Sequence, residues 1–190
     1  MYKLTLPTIL TWLRLAMIPF FVAVYSLPDN LVQYNYKDNL ATFIFTLAAI
    51  TDYFDGYLAR KLKQESSFGA FLDPVADKAL VVSALVILIS QQRTFVFAVI
   101  VIIVREIAVS ALREWMAQIG GAKNTAVHYI GKVKTVVQFL AILILLFNYN
   151  NLINILGNIL MLIAVLLTIV SMFYYLEQAK KYIKNNYNSN

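Results

Sequence analysis

The sequence predicts an all-α integral membrane protein, a six-transmembrane-helix bundle with both termini cytoplasmic. Three observations carry that prediction. Hydrophobic residues make up 61% of the 190 and charged residues only 14%, whereas soluble domains run at about half and about a quarter. The mean hydropathy is +0.70. The apolar residues fall into six runs of about 20, the length a helix needs to cross the hydrocarbon layer. Basic residues at the ends of those runs alternate between a rich side and a poor side.

The first run, Thr5–Leu27, contains Arg14 and ends without a small-residue cleavage site, so it reads as a retained span, not a signal peptide. Spans two and three, Asn39–Leu62 and Phe68–Ser90, are interrupted by acids. Span four is Phe95–Met116 and span five Tyr129–Phe147. Span six, Leu152–Leu176, is the cleanest, with Asn154, Gly157 and Asn158 near its start. Residues 177–190 form a polar cytoplasmic tail, and 1–190 a single catalytic domain. Helices satisfy every backbone group within one segment, which hydrocarbon demands. No barrel pattern or strong repeat competes with them.

Orientation follows from the cations. Lys3, then Arg60, Lys61 and Lys63, then Arg113, Lys123, Lys132 and Lys134, then Lys180, Lys181 and Lys184 share one side. Only Lys37 and Arg93 fall on the other; Arg14, Lys78 and Arg105 lie within spans. The richer side is cytoplasmic. Spans two and three then bring their acids to one depth, in the cytoplasmic half.

Composition also excludes chemistry. The chain has no cysteine and one histidine, His128. Disulfides, thiolates, Cys-bound zinc and a Ser-His-Asp triad are excluded or implausible, and His128 receives no role. A metal must be held through oxygen. The net charge of +6 has no continuous basic run. No nucleic-acid partner is expected; anionic membrane lipid or phosphate suits it better.

The acids are Asp52, Asp55, Asp73 and Asp77. Residues three and four apart share a helix face, so Asp52, Asp55, Gly56 and Ala59 line one stripe, and Gly69, Asp73 and Asp77 another. The short connection makes the two helices antiparallel neighbours whose stripes can face each other. Each carboxylate costs about 2.5–3.5 kcal/mol to insert, and four together repel. Two divalent cations would cancel the charge, and oxygen ligands suit Mg2+, Mn2+ or Ca2+. Paired metals about 3.5–4 Å apart recur in displacement at phosphorus. The small residues leave room for a ligand or let helices pack closely. Arg60 can grip a diphosphate or snorkel to headgroups. The competing reading of the acids is a structural ion-pair network with bases such as Lys78.

The complete pattern D-x2-D-G-x2-A-R-x8-G-x3-D-x3-D, from Asp52 to Asp77, resembles the signature of the CDP-alcohol phosphotransferases. The resemblance extends to the six-span layout along nearly the whole chain. It implies two divalent cations, Mg2+ or Mn2+, held by Asp52, Asp55, Asp73 and Asp77, with Asp77 as the base on the acceptor hydroxyl. It implies that Gly56, Ala59, Arg60 and Gly69 border the nucleotide and diphosphate, and that the protein is a homodimer. Arg105-Glu106, Leu112-Arg113-Glu114, Gly131–Thr135 and the stretch from Leu6 to Arg14 are similar to the bacterial branch that uses CDP-diacylglycerol and glycerol 3-phosphate. That implies the bacterial inner membrane.

The acceptor also follows from charge. Arg105, Arg113, Lys132 and Lys134 can converge near the acids and bind a phosphate on the acceptor. Lys132 and Lys134 could instead serve only orientation; Arg105, near mid-span, needs a partner. Glu106 is expected to point elsewhere on its helix. Inositol phosphate or serine is the alternative acceptor within the family. A cation transporter is the rival outside it, but the acids cluster toward one side instead of lining a path across.

Overall fold

The computed structural model describes residues 6–28, 32–62, 67–121 and 129–187; the side chains at 6–8, 34–35, 53–62, 67–68, 70 and 185–187 are not among those described. The predicted roles of Asp55, Gly56, Ala59 and Arg60 therefore fall outside the described side chains. Lys3, Lys61, Lys63, Lys123 and His128 lie outside them too.

The described residues form six α-helices and no strand: α1 (Leu6–Ser26), α2 (Tyr34–Leu62), α3 (Ser67–Ser90), α4 (Val96–Gln118), α5 (Tyr129–Phe147) and α6 (Asn151–Tyr187). Helices α1, α5 and α6 are long and apolar enough to cross a membrane. The other three are as long, but they carry most of the acids within the helices. Two boundaries differ from expectation by more than two residues. Helix α2 begins five residues earlier, at Tyr34, and α6 continues through the polar stretch after Leu176.

Local chemistry explains the helix ends. Pro28 follows the last turn of α1 and cannot extend it. Helix α4 stops at Gly120 (φ +81°). There Gly121 N–H bonds to Met116 O at 2.7 Å and Gly120 N–H to Ala117 O at 3.2 Å, the paired bonds of a glycine-terminated helix. A Cβ on Gly121 would come within 3.0 Å of Tyr182 and Met116 atoms, so α6 passes close over this turn. The start of α6 is capped by Asn150, whose Oδ1 accepts from Ile153 N–H at 2.9 Å.

The core runs along the bundle axis through Phe21, Phe45, Leu85, Leu88, Ile102, Ile142 and Leu145. Phe45 stacks on Phe139 at 4.9 Å and tilts against Phe21 at 6.1 Å. Much of the outer surface is equally apolar: Phe20, Phe97 and Leu152 are 70%, 69% and 77% exposed. Such patches need an apolar solvent. Helix α1 packs more extensively on α2 and on α3 than those two pack on each other, among the described residues. Helix α1 thus packs against both acid-bearing helices, which also touch each other.

One end of the bundle is locked by a polar cluster. Arg93 Nη2 donates to both oxygens of Asp38, at 2.7 and 2.8 Å. Arg93 also reaches Leu146 O at 3.2 Å. Asn148 Nδ2 and Tyr25 Oη donate to Asp38 at 3.0 and 3.1 Å, and Asn158 Nδ2 to Arg93 O at 3.0 Å. These groups belong to the ends of α1 and α5, the start of α2 and α6, and the α3–α4 turn. Consecutive helices therefore run up and down, and Asp52, Asp73, Asp77, Arg113 and Lys134 lie toward the opposite end.

Candidate active site

Helix α1 supplies what the sequence reading did not assign. Thr11 and Arg14 are three residues apart and both buried. Thr11 Oγ1 donates to Asp73 Oδ1 at 2.5 Å. Arg14 Nη1 contacts Asp52 Oδ1 at 2.8 Å and also pairs with Asp77 Oδ1. The three-residue step on α1 meets the four-residue step from Asp73 to Asp77 on α3. Arg14 is fully buried, while both its carboxylate partners are about half exposed. Among the described residues the ionic partner of Asp52 and Asp77 is therefore Arg14, not Lys78. A guanidinium inside a span must have partners, and that rule, applied to Arg14, was the available signal.

Asp52, Asp73 and Asp77 are brought together through α1. Among the described residues no group of three or more potential ligands converges as a metal site, and Asp55 is outside them. Gly69 is buried one turn before Asp73.

Asp73 and Asp77 border a cavity of about 750 Å³ between α3, α4, α5 and α6. Helices α4 and α5 bring Arg105, Arg113 and Lys134 to it, together with Glu106 and Glu114. Arg105 Nη2 donates to Ser171 Oγ at 2.8 Å and its guanidinium lies 5.6 Å from the Tyr175 ring centroid. Arg113 lies 4.9 Å from the same centroid and donates to Tyr175 Oη at 2.8 Å. Buried Tyr175 thus holds both guanidiniums, combining cation–π attraction with a hydrogen bond.

Lys134 lines the cavity and pairs with Glu106 Oε1. The same oxygen is 3.5 Å from Arg105 Nη1. Glu106 therefore faces the site, contrary to the sequence expectation. Positions 105 and 106 lie about 100° apart on a helix, and this cavity is wide enough to touch both. Lys132 is exposed and outside the cavity lining. It sits two residues before Lys134, nearly opposite on the helix. Three of the four predicted cations converge, and the fourth does not.

Three buried polar atoms of residues lining this cavity, Arg105 Nε, Arg113 Nε and Gln138 Oε1, have no hydrogen-bond partner among the described residues. Buried groups left in that state mark a place for a ligand or water. The cavity can seat an anion at Arg105, Arg113 and Lys134 while a second group of the same molecule reaches the carboxylates. Tyr175, Ser171 and Gln138 carried no sequence signal, because each is a common residue in an apolar span.

Comparison with known proteins points to the same chemistry. Residues 4–170 match the family model for CDP-alcohol phosphatidyltransferase. A CDP-diacylglycerol–glycerol-3-phosphate 3-phosphatidyltransferase of Haemophilus influenzae is 48% identical over 186 residues, covering 97% of this chain and 98% of the relative. Proteins of the same name from Sodalis glossinidius and Pectobacterium atrosepticum are 45% and 44% identical, each covering 94% of this chain and 96% of the relative.

Proposed function

The chain belongs to the CDP-alcohol phosphatidyltransferase family, and from that premise we infer that it transfers the phosphatidyl group of CDP-diacylglycerol to glycerol 3-phosphate, yielding phosphatidylglycerophosphate and CMP. The observation that carries this reading is the single cavity joining Asp73 and Asp77 to Arg105, Arg113 and Lys134. Glycerol 3-phosphate brings a dianion for these three cations and a hydroxyl for the aspartates. A neutral alcohol would bring no charge for Arg113 and would leave Arg105 and Lys134 sharing Glu106 alone.

The acceptor phosphate sits against Arg105, Arg113 and Lys134. Its 1-hydroxyl lies at Asp77, whose carboxylate takes the proton as the oxygen attacks the phosphorus bearing diacylglycerol. The bond from that phosphorus to the bridging diphosphate oxygen breaks, and CMP departs. Holding both ends of the acceptor makes the attack effectively intramolecular. Thr11 and Arg14 fix the carboxylates that border the reacting groups. Gly56, Ala59, Arg60 and Gly69 border the nucleotide and diphosphate, and Lys132 acts at the interface.

The donor set suits a pair of divalent cations, Mg2+ or Mn2+. It is all oxygen, and Asp52 and Asp77 already converge on one cationic nitrogen. Asp52, Asp55, Asp73 and Asp77 would hold them. When bound, such ions draw charge from the diphosphate. All six helices span the inner membrane of a bacterium, with both termini and the cavity at the cytoplasmic side and the active form a homodimer. The charge bias and the apolar outer surface of the bundle support the membrane placement.

An acceptor panel tests the function. Purified protein with CDP-diacylglycerol and Mg2+ or Mn2+ is expected to release CMP with glycerol 3-phosphate, and to stop when a chelator is added. Turnover with serine or inositol alone would sink the phosphate-pocket reading; chelator resistance would sink the metal reading. Within the pocket, Tyr175→Phe removes one hydrogen bond to a charged group and keeps the ring. The expected result is a rise of about tenfold in KM for glycerol 3-phosphate, with kcat and KM for CDP-diacylglycerol little changed. An unaltered acceptor KM would remove Tyr175 from the binding wall.

A further inference from the structure

Helix α6 has 37 residues, about 55 Å at 1.5 Å per residue, against roughly 30 Å of hydrocarbon. Its last turns leave the apolar layer at the end of the bundle that holds the catalytic cavity. There they lean on α4: Ala179 is buried, and Tyr182 Oη donates to Ile119 O at 3.0 Å. Leu176, Ala179, Lys180, Ile183 and Lys184 follow the spacing of one helical stripe. With Leu112 and Trp115 of α4 they line a second cavity of about 520 Å³, which shares no lining residue with the first.

This groove has two chemistries in the order a membrane boundary requires. Its floor is aliphatic and aromatic, and Trp115 is half exposed, as interfacial tryptophans are. Its outer rim is Lys180 and Lys184, exposed and without an ion-pair partner among the described residues. We propose that the groove binds one anionic phospholipid of the surrounding leaflet. The phosphate sits between Lys180 and Lys184, and one acyl chain runs along Leu112, Trp115 and Leu176. The proposal rests on the membrane reading above. A second copy of the chain is disfavoured, because a two-fold contact here would oppose two cationic rims. A soluble anion leaves the apolar floor uncovered, and a zwitterionic lipid brings its own cation to the lysines.

Trp115 reports occupancy directly. The experiment uses full-length protein carrying Trp12→Phe, in phosphatidylcholine vesicles doped with brominated phosphatidylglycerol or brominated phosphatidylcholine. If Trp12→Phe impairs folding, the parent is used and the emission of a Trp115→Phe variant is subtracted. Half-maximal quenching is expected at a roughly thirtyfold lower fraction of the anionic lipid, about fivefold for each lysine. Lys180→Gln with Lys184→Gln is expected to abolish that preference, and high salt to weaken it. Millimolar inorganic phosphate is expected to leave the quenching in place. Equal quenching by both lipids, or a preference surviving in the double variant, overturns the proposal. So does displacement by free phosphate, or shielding of Trp115 from both lipids together with cross-linking between copies. No substrate enters the measurement, so its failure is distinct from failure of the acceptor panel.

Discussion

Asp77→Asn is expected to lower turnover by roughly 10²–10⁴-fold, the range for loss of a positioned general base, while the protein still folds. The asparagine keeps an oxygen where Asp77 meets Arg14, so the contact between α1 and α3 retains a partner. It loses the negative charge and the ability to take a proton. CMP release and thermal unfolding in the same detergent separate the two effects. A folded Asp77→Asn protein with near-parental turnover would refute the base assignment. A protein that no longer folds would show instead that the charge paired with Arg14 is mainly structural.

The largest stability effect is expected far from the chemistry. Asp38→Ala should cost about 3–5 kcal/mol, because removing one partner of a buried pair strands the other charge. Arg93 would lose its carboxylate while still buried, and Asn148 and Tyr25 would lose their acceptor. Arg93→Ala should cost a similar amount. The double variant should cost less than the two singles added, since both break one network. Thermal unfolding of the three variants checks this, and turnover at low temperature should stay near parental. Parental melting temperatures in both single variants would mean that the cluster is solvated and contributes little.

The sequence by itself determined the six helices and the family. Six apolar runs of spanning length became six helices, and Tyr129–Phe147 matched to the residue. Hydropathy has this reach because a run of about 20 apolar residues can satisfy its backbone in an apolar setting only as a helix. That Asp52, Asp73 and Asp77 and the cations Arg105, Arg113 and Lys134 would be grouped was equally legible, since ionisable groups in an apolar run are too costly to be incidental. Hydropathy could not place the end of α6. It registers where a helix leaves hydrocarbon, whereas the helix itself continues while Tyr182 and Ala179 have α4 to rest on.

Only the tertiary structure decided which groups meet. Periodicity gives the face of a residue relative to its own helix, not the helix that covers it. That is why α1 between α2 and α3, with Arg14 reaching Asp52 and Asp77, was not foreseen. The same reason separates Lys134 from Lys132 and turns Glu106 toward the cavity. It also leaves the bond between Asp38 and Arg93, 55 residues apart, invisible in the chain. Each pairing depends on the rotation and neighbour of a helix, and those are set by packing the whole bundle at once.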